Sequence, residues 1–542
     1  MNKNLLSIMA AASLVACGPK TTEQADYNVV PLPESITLND GDLFILKPST
    51  VIVSDEQSAP DAEFLKEYIM EMTGLDVKKS AVAPSKNYIL VMTSNEGPAE
   101  GYEIDIRKES VTIKGNDVKG TFYGVQTLRK ALPVTDEPVR VEMKPAVIKD
   151  SPRFAYRGLH LDVCRHFFPA SFVKKYIDLM ALHNINKFHW HLTEDQGWRV
   201  EIKAYPKLTE IGAYRNGTMV GKDWDSNDGV RYGGFYTQEE IKDIVAYAAE
   251  RHIEIIPEVD LPGHMMAALA SYPELGCTGG PYEVNTKWGV MDEVLCAGND
   301  KVYDFLEAVL NEFAELFPGE YFHIGGDECP KVRWEKCPAC QAKIKELGIK
   351  GNREHSAESQ LQNHVMAFAA DIMHKHGKKV IGWDELLEGG GVEDIIVMSW
   401  RGEEGCINGS RTGHDVIMTS CGNLYFDYYQ ADEETEPLAI GGYIPVEKVY
   451  NYEPVPAEIA GDPELVKHVL GVQANLWTEY IATEEYAEYM AIPRVDALSE
   501  LQWTDGKDKN YASFLVRLEK MRKIYDKLGY NYAKHVFNGQ SE

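Results

Sequence analysis

Positive charge is scarce in this chain. Its 542 residues include 55 Lys and Arg against 84 Asp and Glu, a formal net charge of −29. Such an acidic surface repels nucleic acid and anionic membranes, so neither is expected as the main partner, whereas neutral substrates, sugars included, are not disfavoured. Long apolar runs are scarce too. The one at the N-terminus is too short to span a bilayer as a helix. Complete metal-site spacings are missing: Cys337-Pro-Ala-Cys340 has Cys329 nearby but no second CxxC and no His pair. Structural disulfides or free thiols are therefore expected, with no metal and no cofactor. Cys277 and Cys296 flank one loop and could pair, and Cys164, Cys406 and Cys421 read as buried thiols. What is present is an ordinary globular balance, 44% hydrophobic and 26% charged, which excludes a disordered or collagen-like chain and leaves ample sequence for a large core.

The N-terminus reads as a targeting segment. One positive charge in Met1–Asn4 precedes the apolar or small residues Leu5–Ala16, and Leu14-Val15-Ala16-Cys17 follows the pattern of a bacterial lipobox. Residues 1–16 are expected to be a lipoprotein signal peptide, Cys17 the lipidated residue, and 17–26 a tether. The mature protein would be exported and lipid-anchored to a bacterial membrane, periplasmic or at the cell surface.

Residues 27–150 combine short β-rich runs (51–53, 88–91, 111–113), an alternating stretch at 101–106 and helical patterns at 61–73 and 118–132. They predict a small α+β domain, bounded near Ser151-Pro152. From 151 to 542 strands alternate with helices. Eight strand candidates occur, at 158–163, 187–192, 253–259, 321–324, 379–383, 395–400, 415–420 and 469–477. Thr237-x-x-Glu240 is a capping box opening an amphipathic helix, and 302–316 and 359–376 behave likewise. The fold class predicted is α/β: a (β/α)8 TIM barrel preceded by the small α+β domain. Nearly every strand candidate ends in an acid, His, Trp or Arg. A packed core has no use for charges there, whereas barrel enzymes place their active sites at the C-terminal ends of the strands.

The fourth strand candidate ends His323-Ile-Gly-Gly-Asp327-Glu328. Adjacent carboxylates point in different directions, so their environments can push their pKa values apart, leaving one protonated and one ionised. That arrangement suits general acid catalysis. Together with Arg157–Phe167, Phe188–Arg199, Ile256–His264, Gly382-Trp383-Asp384-Glu385, Ala474–Glu479 and Pro493-Arg494 with Glu500, it resembles the family 20 glycoside hydrolases, the β-N-acetylhexosaminidases, in order from about residue 27 to 535.

The resemblance implies a retaining exo-enzyme that removes terminal N-acetylhexosamine, the substrate's own 2-acetamido oxygen serving as nucleophile and forming an oxazolinium ion. Carried onto this sequence, it makes Glu328 the acid and base and Asp327 the partner of the acetamido N–H. Tyr425 becomes the donor to the acetamido oxygen. Trp383, Trp400 and Trp477 become walls of the sugar pocket, Arg165 the holder of O3 and O4, and Asp427 and Glu479 the partners of O4 and O6. His264 is expected beside the acid, Asp195 paired with Arg165, and His323 either in the core or orienting a catalytic group. Glu194 stands where the family commonly has Asp, and no role is assigned to it. Two competing readings are a lacto-N-biosidase-type enzyme, which needs a pocket open past O3, and a non-catalytic glycan-binding lipoprotein, which needs no Asp327, Glu328 and Tyr425 together.

Overall fold

The computed structural model describes residues 21–538. The expected signal peptide and Cys17 lie outside them. Among the described residues no helix is long and apolar enough to cross a membrane.

Two compact units are present, one taking the described residues up to Asn28 and Ser35–Asp150, the other Val29–Glu34 and the chain from Ser151 onward. The first is built on a seven-stranded mixed sheet whose central strands are Tyr102–Ile106, Ser110–Gly115 and Tyr88–Thr93. Tyr88–Thr93 and Ser110–Gly115 alternate between half-buried and buried positions, which gives the sheet one apolar face. Helices Ala59–Thr73 and Val118–Ala131 supply the matching apolar stripes. The second helix starts where Asp117 accepts the Gly120 N–H at 2.8 Å. Residues 21–24, expected to be tether, instead form a strand parallel to Val139–Glu142 in a separate three-stranded sheet. The strand is exposed at all four positions, so backbone pairing holds it without an apolar signature that the sequence could show.

The second unit is a closed barrel of eight parallel strands, Tyr156–Asp162, Lys187–His191, Glu254–Glu258, Tyr321–His323, Lys379–Trp383, Ile395–Ser399, Val416–Met418 and Val469–Ala474. The first closes on the last through Tyr156 opposite Gly471. All eight expected strands are present. The capping box forms as read: Thr237 accepts the Glu240 N–H, and the Glu240 carboxylate accepts the Thr237 N–H at 2.8 Å. The helices do not all follow. After the fifth strand the chain makes only a 3-10 turn, Asp384–Gly389, before re-entering the barrel, because a connection this short has no room for a full crossover helix.

Inside the barrel the side chains are layered. Tyr156, Ile256, Ile381, Ile396, Met398 and Ile417 form an apolar cluster that Trp383 shares. Above it lies a polar layer centred on Glu258, whose carboxylate meets His189 at 3.0 Å, His191 at 2.5 Å, His323 at 3.0 Å and the Trp383 indole N–H at 2.9 Å. Of the two alternatives for the cysteines, disulfides or free thiols, the described residues show the second: Cys277 and Cys296, which could have paired, are not bridged.

Candidate active site

The strands deliver their polar ends to one cavity of about 230 Å3, lined by Arg165, Asp327, Glu328, Trp383, Trp400, Tyr425, Asp427, Tyr428, Trp477 and Glu479 among others. Larger concavities lie along residues 445–460 and at the N-terminal ends of the fifth and sixth strands, but neither gathers a comparable set of acids and aromatics. Every residue assigned to catalysis or sugar binding from the sequence lines this cavity except His264 and Asp195.

The fourth strand stops at His323, and Gly325 and Gly326 carry the chain through positive φ to the acid pair. A side chain at Gly325 would run into Asp260, its Cβ lying 1.9 Å from Oδ1, so this close approach admits only glycine. Glu328 (φ 45°) and His264 (φ 51°) are both in the left-handed region, a strained conformation for residues with side chains, of a kind that clusters at functional sites. The His264 Nε2 atom lies 3.5 Å from Glu328 Oε2 and 3.8 Å from Asp327 Oδ2.

Electrostatics separates the two acids. Burial, reinforced by Glu258 and Glu328, outweighs His264 and pushes Asp327 up to about 6. The His264 imidazole 3.5 Å away holds Glu328 below the usual carboxylate range, against a partial burial that leaves its side chain 40% exposed. Burial alone would keep His264 neutral, but the carboxylates of Glu194, Asp195 and Glu328 reverse this and raise it well above an ordinary histidine.

The pairing of Arg165 differs from expectation. Its guanidinium contacts Glu194 at 3.1 Å and Asp162 at 3.3 Å, and its Nε donates to Gln196 at 3.2 Å. Asp195 instead meets His264 at 3.3 Å and accepts the Met266 N–H at 2.9 Å. Glu194 ends the two-residue strand Thr193–Glu194 and Asp195 begins the turn to its partner Gly197–Trp198, where neighbours point apart. Glu194 thus links the cavity-lining Arg165 to the histidine beside the acids, its Oε1 lying 2.7 Å from His264 Nδ1. Its type, one methylene longer than Asp at that position, was the only sequence signal of this role.

The aromatic wall is held from behind. Trp383 donates to Glu258 at 2.9 Å and Trp400 to Glu385 at 3.0 Å, while Trp477 packs against Trp383 and Tyr425 at centroid distances of 6.0 and 6.3 Å. Burial, with Asp327 and Asp384 nearby, raises Glu385 to about 8. The motifs containing Glu258 and Glu385 assign them no role, because a motif read in one dimension cannot show what a carboxylate faces. Arg494 fixes the segment carrying Tyr425 and Asp427: it donates to the carbonyls of Phe426, Tyr428 (2.9 Å) and Ile444 (3.2 Å).

His189, Glu258 and His323 lie close enough to share a metal ion. Glu258, however, already receives His189, His191 and Trp383, so its carboxylate is satisfied within the protein, while His323 accepts the Gly325 N–H through Nδ1 and leaves only Nε2 without a partner. Three buried oxygens at the cavity are different. Asp327 Oδ1, Asp427 Oδ1 and Glu479 Oε2 receive no hydrogen bond from the protein. Buried polar atoms left open in this way, all lining one cavity, call for donors from a ligand.

Comparison with known proteins agrees with this arrangement. Residues 154–506 match the glycosyl hydrolase family 20 catalytic domain, and 26–151 match domain 2 of the same family. A β-hexosaminidase of Porphyromonas gingivalis is 44% identical over 540 residues, covering 97% of this chain and 67% of its own length. One from Vibrio furnissii is 36% identical, covering 88% of this chain and 77% of its own. Among solved structures, the exo-β-N-acetylglucosaminidase of Vibrio harveyi in complex with N-acetylglucosamine superposes with a TM-score of 0.83 at 34% identity, over 94% of this chain and 79% of that one. The β-N-acetylhexosaminidase of Streptomyces coelicolor A3(2) does so at 0.80 and 33%, over 93% and 97%. With both of its units matched and a carboxylate-and-tryptophan pocket at the strand ends, the chain belongs to glycosyl hydrolase family 20.

Proposed function

We propose that this pocket removes single terminal β-linked N-acetylhexosamine residues, N-acetylglucosamine foremost, from the non-reducing ends of glycans. The observation that carries the reading is the convergence of Asp327, Glu328, Tyr425 and three tryptophans on one small cavity that also presents unpaired Asp427 and Glu479 oxygens. At about 230 Å3 the cavity is smaller than the roughly 300–1,000 Å3 of sites for drug-sized ligands, which suits one sugar ring and disfavours a disaccharide.

Asp427, Glu479 and Arg165 hold the ring hydroxyls through charge-assisted hydrogen bonds. Tyr425 donates its hydroxyl to the acetamido oxygen and aims it at the anomeric carbon. Burial keeps that hydroxyl well above its ordinary pKa, so it remains a donor. The oxygen attacks from one face as Glu328 protonates the leaving oxygen on the other. Ionised Asp327 accepts the acetamido N–H and stabilises the positive charge of the oxazolinium ion. Glu328 then takes a proton from water, which opens the ring with retention. The flat walls of Trp383, Trp400 and Trp477 exclude competing water, and the polar groups stand in place before charge develops. In the free site His264 keeps Glu328 ionised; a leaving group seated over its exposed side chain withdraws water from it and raises it toward the acid form.

The test compares an aryl 2-acetamido-2-deoxy-β-glucoside with the matching aryl β-glucoside in the wild type and in Asp327→Asn. Cleavage of the acetamido substrate alone is expected, with kcat about 10^2- to 10^3-fold lower in the variant, the size of losing one preorganised stabilising contact. Equal cleavage of both substrates refutes acetamido participation.

For location we propose that Cys17 carries a lipid after cleavage behind Ala16. The Leu-Val-Ala-Cys stretch and the apolar residues before it support this. The mass of membrane-extracted protein tests it, and an unlipidated mature chain refutes it.

A further inference from the structure

Outside the sugar pocket, four cysteines that are distant in sequence come together. Cys277 and Cys296 bound the loop after the third strand, and Cys337 and Cys340 stand at the start of helix Pro338–Glu346, as its N-cap and within its first turn. Their sulfurs lie within 4.8 Å of one another. The Cys277–Cys340 separation is 3.8 Å, and both Cys296–Cys337 and Cys296–Cys340 measure 3.7 Å. A disulfide would bring sulfurs to about 2.05 Å. Four thiolates about 2.3 Å from one tetrahedral centre stand about 3.8 Å apart, which is the spacing seen here.

The surroundings are built to match. Gly298 has to be glycine, because a Cβ there would lie 2.1 Å from the carbonyl carbon of Ala339, so the loop is pressed onto the CxxC turn. The Trp334 indole N–H binds the Leu295 carbonyl at 2.9 Å, and the Cys296 N–H binds the Leu275 carbonyl at 2.8 Å, closing the loop at its base. Three of the four cysteines are buried and Cys277 is half-buried, which leaves one side for an ion to enter.

We propose that Cys277, Cys296, Cys337 and Cys340 bind one structural Zn2+ ion as a closed four-thiolate site. Four thiols lose four protons as they take up the cation, and no position remains open for water or substrate, so the role is mechanical. The site clips together the two stretches that flank the acid pair. The Leu295 N–H bonds the Pro262 carbonyl at 3.0 Å, two residues before His264, while Cys329, directly after Glu328, leads through a short helix to Cys337. The clipped loop also carries Asn285, whose N–H bonds the Asp195 carbonyl at 3.0 Å, and Lys287, whose carbonyl accepts from Gln196 at 2.7 Å. The sequence concealed the site because its first two ligands belong to no CxxC or His pair.

The experiment is elemental analysis of full-length protein purified without chelators, with zinc K-edge X-ray absorption on the same sample. About one zinc per chain is expected, surrounded by four sulfurs at about 2.3 Å. A mercurial should release it as four thiols are titrated. Cys340→Ser should lose the zinc, and Cys406→Ser, which alters a buried thiol outside the cluster, should keep it. Four free thiols without metal, iron in place of zinc, a mass lighter by four hydrogens from two disulfides, or zinc coordinated by nitrogen or oxygen would each overturn the proposal. None of these readouts depends on activity, so failure here is distinct from failure of the glycosidase reading.

Discussion

The strand Tyr88–Thr93 of the N-terminal unit and the strand Tyr156–Asp162 of the barrel have similar lengths and opposite economies of burial. In the first, buried positions alternate with half-buried ones, and the buried ones are Ile89, Val91 and Thr93. In the second every position is buried, and the buried set includes Arg157, His160 and Asp162. Enclosing such groups costs several kcal/mol each unless they are paired. The barrel meets that cost for the two charged groups: Arg157 donates to the carbonyls of Asn184 at 2.8 Å and Phe154 at 2.9 Å, and Asp162 accepts the Cys164 N–H at 2.7 Å, pairs with Arg165 at 3.3 Å and accepts the Thr478 hydroxyl at 3.0 Å, while His160 packs its ring against His189 and Trp477 with both nitrogens unpaired. The N-terminal unit has buried polar groups of its own, Tyr102 with Thr127 and Asp150 and Ser58 with Thr93 and Thr121, but they close among themselves. The barrel's network differs in reaching a cavity, where unpaired carboxylate oxygens mark the place a ligand completes it.

This contrast can be tested by substitution, and the largest effect belongs to the acid. Glu328→Gln should lower kcat/KM on unactivated glycosides by about 10^2- to 10^4-fold, the range of general acid–base catalysis, and much less on aryl glycosides whose leaving groups need little protonation. Equal losses on both substrates would remove Glu328 from that role. In the N-terminal unit the expected effect falls on stability instead. Ile89→Ala, at a fully buried strand position, should cost about 2–5 kcal/mol of unfolding free energy while kcat at 25 °C stays within twofold. A large fall in kcat in a folded variant would erase the distinction between the units.

Glu194→Gln sharpens the comparison within the barrel. It removes the charge that links Arg165 to His264, and loss of a charged hydrogen bond, about 1.5–3 kcal/mol, corresponds to roughly 10- to 100-fold in kcat/KM. Glu194→Asp, with the residue common in the family, should recover part of the loss; no effect from either change would make the link incidental. The smallest effect is a shape. Adjacent carboxyls titrate as a pair, and the productive form carries one proton. With Asp327 near 6 and Glu328 below the usual carboxylate range, kcat/KM should peak at acid pH. It should fall above about 6 as the pair loses its last proton and fall again at low pH as both become protonated. A profile flat from pH 5 to 8 would contradict this assignment.

Much of this was legible in one dimension. The eight barrel strands are short β-rich runs bounded by helix and turn signals, and the acid pair follows glycines at a strand end, so local pattern alone located them. The lack of a full helix after the fifth strand was not, because eight strands suggest eight crossovers while the length of this connection forbids one. The pairing of Arg165 was misassigned for a similar reason: Glu194 and Asp195 are neighbours in sequence, and only the direction of the turn decides which faces the arginine.

Residue type, order and periodicity determined the barrel, and the resemblance of its motifs supplied the family and the groups expected in the pocket, since motifs are read along the chain. Tertiary structure alone decided which carboxylate meets which cation, which oxygens remain unpaired, and that four cysteines spread over Cys277–Cys340 face one point. Those outcomes depend on distances across the fold, between residues separated by tens to hundreds of positions, and no local pattern encodes them.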